Sequence, residues 1–330
     1  MKFKYYFTAF AILVSFSIQS LAQSAKQPVA VIFDTDIGPD YDDVGAITLL
    51  HAFADSGECK ILATMASNRY TRIAAVLDVF NTYFNRPNTP IGFAGANGVN
   101  IGCGQKWDSI ITAKYPHDIK TNQQVEDATT LYRKILSKQP DNSVTIITVG
   151  FLTNMANLLE SKPDKYSNLN GIELVRKKVK RLVAMAGAFP KGSEFNVNRH
   201  PAASKITADN FPVPIIFSGV EIGMRLFTGI PLINSQIKNS PVKDVFAISI
   251  PLSNEDKNGR KSWDQTAVLI AVRGYEKYFN LESGRMVCNA DGSNSWDFNG
   301  KGHFFVTGKI EDNKLEDLIN HLMMHQPVKK

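Results

Sequence analysis

The sequence predicts an α/β fold, an open, mostly parallel sheet flanked by helices with a small antiparallel excursion near the C-terminus. Three observations carry that expectation. Short β-branched runs alternate with helical patterns along most of the chain. The runs are apolar nearly throughout rather than at every second residue, as suits strands covered on both faces. Polar residues gather where the runs end, and in open α/β sheets the ligand crevice lies at the carboxyl ends of the strands.

Residues 1–22, MKFKYYFTAFAILVSFSIQSLA, place Lys2 and Lys4 before an apolar run and finish on small residues, the pattern of a secretory signal peptide cleaved after Ala22. The run is shorter than the roughly 20 residues a membrane-spanning helix needs. A periplasmic or secreted protein without a membrane segment after cleavage is therefore expected. Residues 23–330 then form one domain, since neither an internal repeat nor a Pro/Ser-rich linker divides them.

The strand candidates follow in order as 29–33 (VAVIF), 60–66 (KILATMA), 143–149 (SVTIITV), 181–186 (RLVAMA) and 213–218 (VPIIFS). Helical patterns between them cover 43–54, 72–84, 124–137 and 154–159, and a last helix covers about 311–325. The stretch from Gly284 to Ile310 contributes the antiparallel excursion. The glycine-rich GANGVNIGCGQKW, residues 95–107, lacks the strand–GxGxxG–helix context of a dinucleotide loop and reads as a flap over the site.

Composition excludes several classes. Losing Lys2 and Lys4 takes the formal charge from +6 to +4, and the one basic run, VRKKVKR at 175–181, reads as a solvated helix end, so no nucleic-acid partner is expected. Cys59, Cys103 and Cys288 lie far apart and form no CxxC or disulfide framework. His321 and His325 share a helical face but lack the glutamate and partners of a zinc site.

The first strand ends in DTDIGPDYDD, which sets Asp34, Asp36, Asp40, Asp42 and Asp43 within ten positions. Carboxylates so close repel, and some stay protonated unless a cation compensates them. Oxygen donors of this kind suit Ca²⁺ or Mg²⁺. In the plainer alternative, Asp42 and Asp43 only complement the dipole of the following helix. DTD after a strand is also the nucleophile pattern of haloacid-dehalogenase-like phosphatases, with Asp34 as nucleophile, although no late acidic pair supports it.

Five segments in order resemble one family, the inosine-uridine-preferring nucleoside hydrolases. DTDIGPDYDD is similar to its D-x-D-x-G-x-D-D turn with a lengthened loop. TMASN (64–68), ITVGFLTNMANLL (147–159), MAGAFPKGSEFNVNRHPAA (185–203) and SWDQTAVLIAV (262–272) resemble its later motifs. The resemblance implies Ca²⁺-dependent hydrolysis of the N-glycosidic bond of a small-molecule ribonucleoside to ribose and free base. Asp36 would be general base and metal ligand, joined at the ion by Asp43, the carbonyl of Thr153 and Asp264. Asp42, Asn68, Glu194 and Asn196 would hold the ribose.

The likeness departs from the family at two places. Many members carry a histidine before the late aspartate where this chain has Trp263, as purine-specific members do, which implies a purine bias with Trp263 and Trp107 stacking on the base. The segment before Glu194 is short and lacks the asparagine usual there, so recognition of the 5′-hydroxyl is left open. A homo-oligomer is a further implication of the family. The other reading of the same pocket is a ribonucleoside-binding protein without turnover.

Overall fold

The computed structural model describes residues 27–328 together with Met1; the signal-peptide expectation lies outside these residues. Thirteen strands run in chain order: β1 29–35, β2 59–66, β3 91–93, β4 126–127, β5 144–148, β6 179–185, β7 191–193, β8 215–218, β9 227–228, β10 260–261, β11 279–288, β12 293–297 and β13 303–308. Eleven form one sheet in the order β4-β3-β2-β1-β5-β6-β8-β13-β11-β12-β7, while β9 and β10 pair as a separate two-stranded ribbon. From β4 to β13 every neighbouring pair is parallel. The last three pairs are antiparallel.

Alternation along the strands explains the two buried layers. Val31 and Phe33 point to the face covered by helices 42–55, 73–83 and 263–273, and Ile32 points to the face covered by helices 128–136 and 153–160. Because both faces are covered, central strands such as Val144–Thr148 are buried at every position. That is why the apolar runs were visible in the sequence.

All five predicted strands and the predicted helices form, with one helix displaced. Helix 124–137 starts at Ala128, because Asp127 caps it by accepting from the Thr130 amide at 2.9 Å and residues 126–127 join the sheet edge as β4. The C-terminal stretch is more than an excursion: β13 lies parallel to β8 and extends the main sheet before the chain turns antiparallel. The three cysteines are free thiols. No helix among the described residues is long and apolar enough to cross a membrane.

Strand order places the site. Chain order runs outward from β1 through β2 and β3 on one side and resumes with β5 and β6 on the other, so the strand order reverses between β1 and β5 although the strands stay parallel. At such a switch point the loops leaving adjacent strands part and open a crevice. Gly150, just past β5, is required there: a Cβ would sit 2.4 Å from the Asp36 backbone nitrogen.

Candidate active site

A cleft of about 300 Å³ opens at this switch point, lined by Asp36, Asp40, Asp42, Glu194, Asn196, Arg260 and Asp264, with Met185, Phe195, Val220 and Trp263 among its apolar wall. Two helix N-termini supply much of its charge. Helix 42–55 begins at Asp42 and Asp43, helix 263–273 begins at Trp263 and Asp264, and the two pack against each other. Acidic residues in a first helical turn meet the positive end of the dipole, which offsets part of their burial cost.

Carboxylate oxygens of Asp40, Asp42, Asp43 and Asp264 lie within 4.8 Å of one another. Asp36 lines the same cleft. Burial raises the carboxyls of Asp36, Asp43 and Asp264 well above the usual carboxylate range, and their aspartate neighbours raise them further. Asp43 also accepts from the Thr35 hydroxyl. Asp42 is pushed by burial up to about 7 against the pull of Arg260. That guanidinium donates to Asp42 Oδ1 from Nη2 at 2.6 Å and from Nε at 3.1 Å, and meets Asp40 at 2.9 Å.

The donor set therefore fits a divalent cation. Every group is a hard oxygen donor, and no ion pair among the described residues compensates Asp36, Asp43 or Asp264. Asp40, given no role from sequence, belongs to the cluster. Thr153 is the first residue of helix 153–160, where it does not serve as the cap, and its hydroxyl lies 2.8 Å from His200 Nδ1.

Glu194 and Asn196 present acceptors. Glu194 takes the amides of Asn196 at 2.8 Å, Gly187 at 2.9 Å and Val197 at 3.2 Å, which hold down a carboxyl that burial raises. Asn196 spends its amide hydrogens on the carbonyls of Met185 at 3.0 Å and Val149 at 3.2 Å. Its oxygen is left as the atom available to a ligand. Together with the aspartates, these groups suit a hydroxyl-rich partner.

Two predicted site residues turn elsewhere. Asn68 donates to the carbonyls of Ile101 at 2.7 Å and Asp36 at 3.4 Å and accepts from the Ile101 amide at 3.1 Å, so it ties the glycine-rich segment to the aspartate turn and does not line the cleft. Trp107 is wholly buried in the core at the start of helix 107–114 and cannot stack on a ligand in the cleft. The glycine-rich segment itself contributes nothing to the cleft lining. Phe195, which the sequence reading passed over, supplies the second aromatic wall beside Trp263; its place directly after Glu194 was the available signal. Trp263 donates its indole N–H to the Val220 carbonyl at 2.8 Å, which fixes the ring at the cleft edge. Asp34 is fully buried, accepts from Tyr132 and Asn154, and does not line the cleft, which removes the geometry a phosphatase nucleophile needs.

Most of the chain is similar to known proteins. Residues 31–310 match the family model of the inosine-uridine preferring nucleoside hydrolases. Over 234 residues the chain is 25% identical to a pyrimidine-specific ribonucleoside hydrolase RihA of Salmonella schwarzengrund (strain CVM19633), covering 68% of this chain and 67% of the relative. Its fold is similar to the plant nucleoside hydrolase PpNRh1 (TM-score 0.69, 18% identity, 90% of this chain and 99% of that one). It is also similar to the purine-preferring ribonucleoside hydrolase of Gardnerella vaginalis (TM-score 0.69, 16% identity, 89% and 98%). Sheet order, carboxylate cleft and family match converge: the chain belongs to the inosine-uridine-preferring nucleoside hydrolases, a family of N-glycosyl hydrolases.

Proposed function

We propose that this cleft performs Ca²⁺-dependent hydrolysis of the N-glycosidic bond of ribonucleosides, favouring purines. The observation that carries the reading is the trio Asp36, Asp43 and Asp264, three buried carboxylates, Asp36 and Asp264 lining the cleft and Asp43 within 4.8 Å of Asp264 in the same acidic cluster, with no cationic partner among the ion pairs of the described residues. Asp36 and the carboxylates of Asp43 and Asp264 would hold the ion, with the carbonyl of Thr153. A bound divalent cation compensates their charge and acidifies a coordinated water.

Asp36 then takes the proton of the attacking water. Glu194 and Asn196 accept from ribose hydroxyls, as does the Asp42 oxygen that Arg260 leaves unoccupied. The ring of negative charge stabilises the oxocarbenium-like centre that forms as the base departs. No histidine lines the cleft, so the departing base is held between Trp263 and Phe195 without direct protonation by imidazole. The signal-like N-terminus supports an exported setting, checked by the N-terminal sequence of the protein recovered from the cell envelope or medium.

Base release from inosine, adenosine, guanosine, uridine and cytidine, with Ca²⁺ or with chelator, tests the reading. Purine-favoured release that disappears on chelation is expected. A folded protein that binds Ca²⁺ and ribonucleosides yet releases no base would move it to the binding-protein reading.

A further inference from the structure

Arg260 stands out among the cleft residues because the family motifs assign it nothing and because it is so fully committed. Its side chain is only 12% exposed. The guanidinium reaches Asp42 at 2.6 Å, Asp40 at 2.9 Å and Asp256 at 3.9 Å, and lies 4.9 Å from the ring centroid of Tyr41 and 5.1 Å from that of Trp263. Tyr41 in turn donates to Asp256 at 2.7 Å. A ligand entering the cleft finds Nε and Nη2 already spent on carboxylates, while Nη1 stands 3.9 Å from Asp256, outside hydrogen-bond reach, so most of this guanidinium is committed to the protein's own acids.

Delivery of the residue is rigid. Arg260 lies in the β9–β10 ribbon, opposite Thr228, and Gly259 before it has a φ of +117° with Thr228 so near that a Cβ would meet its carbonyl oxygen at 2.7 Å. Behind the ribbon the hydroxyls of Thr228 and Ser262 are 2.6 Å apart. Arginine is the cation suited to this place, because its planar fork can satisfy several carboxylates at once and stack on aromatic faces.

We propose that Arg260 is a positioning residue, a fixed internal counter-ion that neutralises the Asp40–Asp42 side of the carboxylate cluster and leaves Asp36, Asp43 and Asp264 to one divalent ion. The inference rests on the metal-dependent reading above. Its consequence is electrostatic: a permanent positive charge beside the cluster holds the affinity for Ca²⁺ below what the aspartates alone would give. It also holds Asp42 in place whether or not the ion is bound.

Calorimetric titration with Ca²⁺ alone tests this in the full mature chain. Arg260→Gln, which keeps an amide donor but removes the charge, is expected to bind Ca²⁺ about tenfold more tightly or to take a second ion. Arg260→Lys keeps the charge but loses the fork and the stacking, so Ca²⁺ affinity should rise in the direction of Arg260→Gln but by less, within about threefold of the parent. Asp256→Asn removes a partner of Arg260 that does not line the cleft, so the guanidinium charge weighs more on the cluster and Ca²⁺ should bind about threefold more weakly. The opposite signs of Arg260→Gln and Asp256→Asn separate the proposal from simple destabilisation. If Arg260→Gln does not fold, the Asp256→Asn and Arg260→Lys titrations decide alone. Ca²⁺ binding by the parent with no shift in the uncharged variant or in Asp256→Asn would overturn the counter-ion role and leave the proposed function standing. A parent that binds no Ca²⁺ would sink both.

Discussion

Asp40 and Asp42, which meet an arginine, and Asp36, Asp43 and Asp264, which meet no cation among the described residues, are alike in chemistry and opposite in circumstance. The first pair shares the Arg260 guanidinium at 2.9 and 2.6 Å. No ion pair among the described residues reaches the trio, and burial, with repulsion from neighbouring acids that include Asp40 and Asp42, raises all three carboxyls. Aspartates of one cluster can therefore divide into a side the protein neutralises itself and a side it leaves for an ion.

The sharpest way to break that contrast is to substitute across it. Asp36→Asn removes the proposed base, and kcat for base release should fall about 10²- to 10⁴-fold, the range typical for loss of a general base. Asp40→Asn touches a side already neutralised and should lower kcat by about tenfold or less. Steady-state kinetics on both variants decides it; equal losses would mean the two sides act as one unit.

Stability against pH tests the same division without catalysis. Asp34 and Asp42 are raised to about 7, and the trio is raised too, so above roughly pH 4 the folded chain holds protons that the unfolded chain has released. Their contribution is full below the unfolded value and is lost as pH rises through the folded one. Chelated protein should therefore show a falling Tm between pH 6.5 and 8.5. Buried His51 and His303, lowered to about 3 and about 4, act in the opposite direction but finish near pH 6.5. Added Ca²⁺ should flatten the decline by favouring the ionised trio, and a chelated Tm that does not fall would contradict the uncompensated carboxylates.

What the sequence revealed and concealed follows from how far apart the partners lie. The parallel strands were legible because burial on both faces leaves apolar runs, and the aspartate turn because it is contiguous. Arg260 was invisible as a site residue: it sits in a two-residue ribbon strand, and its carboxylate partner Asp42 is 218 positions away. Asn68 was found at the right strand end, but which way an amide turns there depends on the segment that returns at Ile101. Trp107 follows a glycine-rich stretch that looks exposed, yet it opens a helix whose first turn drops into the core. This gives a paired test. Trp107→Leu should cost about 2–4 kcal/mol of stability with base preference unchanged, whereas Trp263→Leu should raise KM for purine nucleosides about tenfold or less with a smaller effect on pyrimidines.

The smallest expected effect concerns the aspartate beneath the cluster. Asp34 of β1 pairs with Thr148 of β5 and Met65 of β2, at the point where the strand order reverses. Its carboxyl accepts from the Tyr132 hydroxyl at 2.8 Å and from Asn154 Nδ2 at 3.0 Å, while Asn154 also donates to the Ala66 carbonyl at 3.0 Å. One acidic side chain thus ties the end of β1 to two helices and, through Asn154, to the end of β2, beneath the reactive turn and without opening onto the cleft. Tyr132→Phe takes away a single donor and leaves the ring in the core, which should cost about 1–3 kcal/mol of stability, the penalty for leaving a buried acceptor short of a partner. Because Asp34 acts by holding the turn and not by touching substrate, kcat and Ca²⁺ affinity should both change less than about threefold. Thermal unfolding and kinetics on the same preparation check the two halves together. A tenfold loss of kcat with stability intact would place Asp34 in the chemistry and move the boundary of the active site from Asp36 back into the strand.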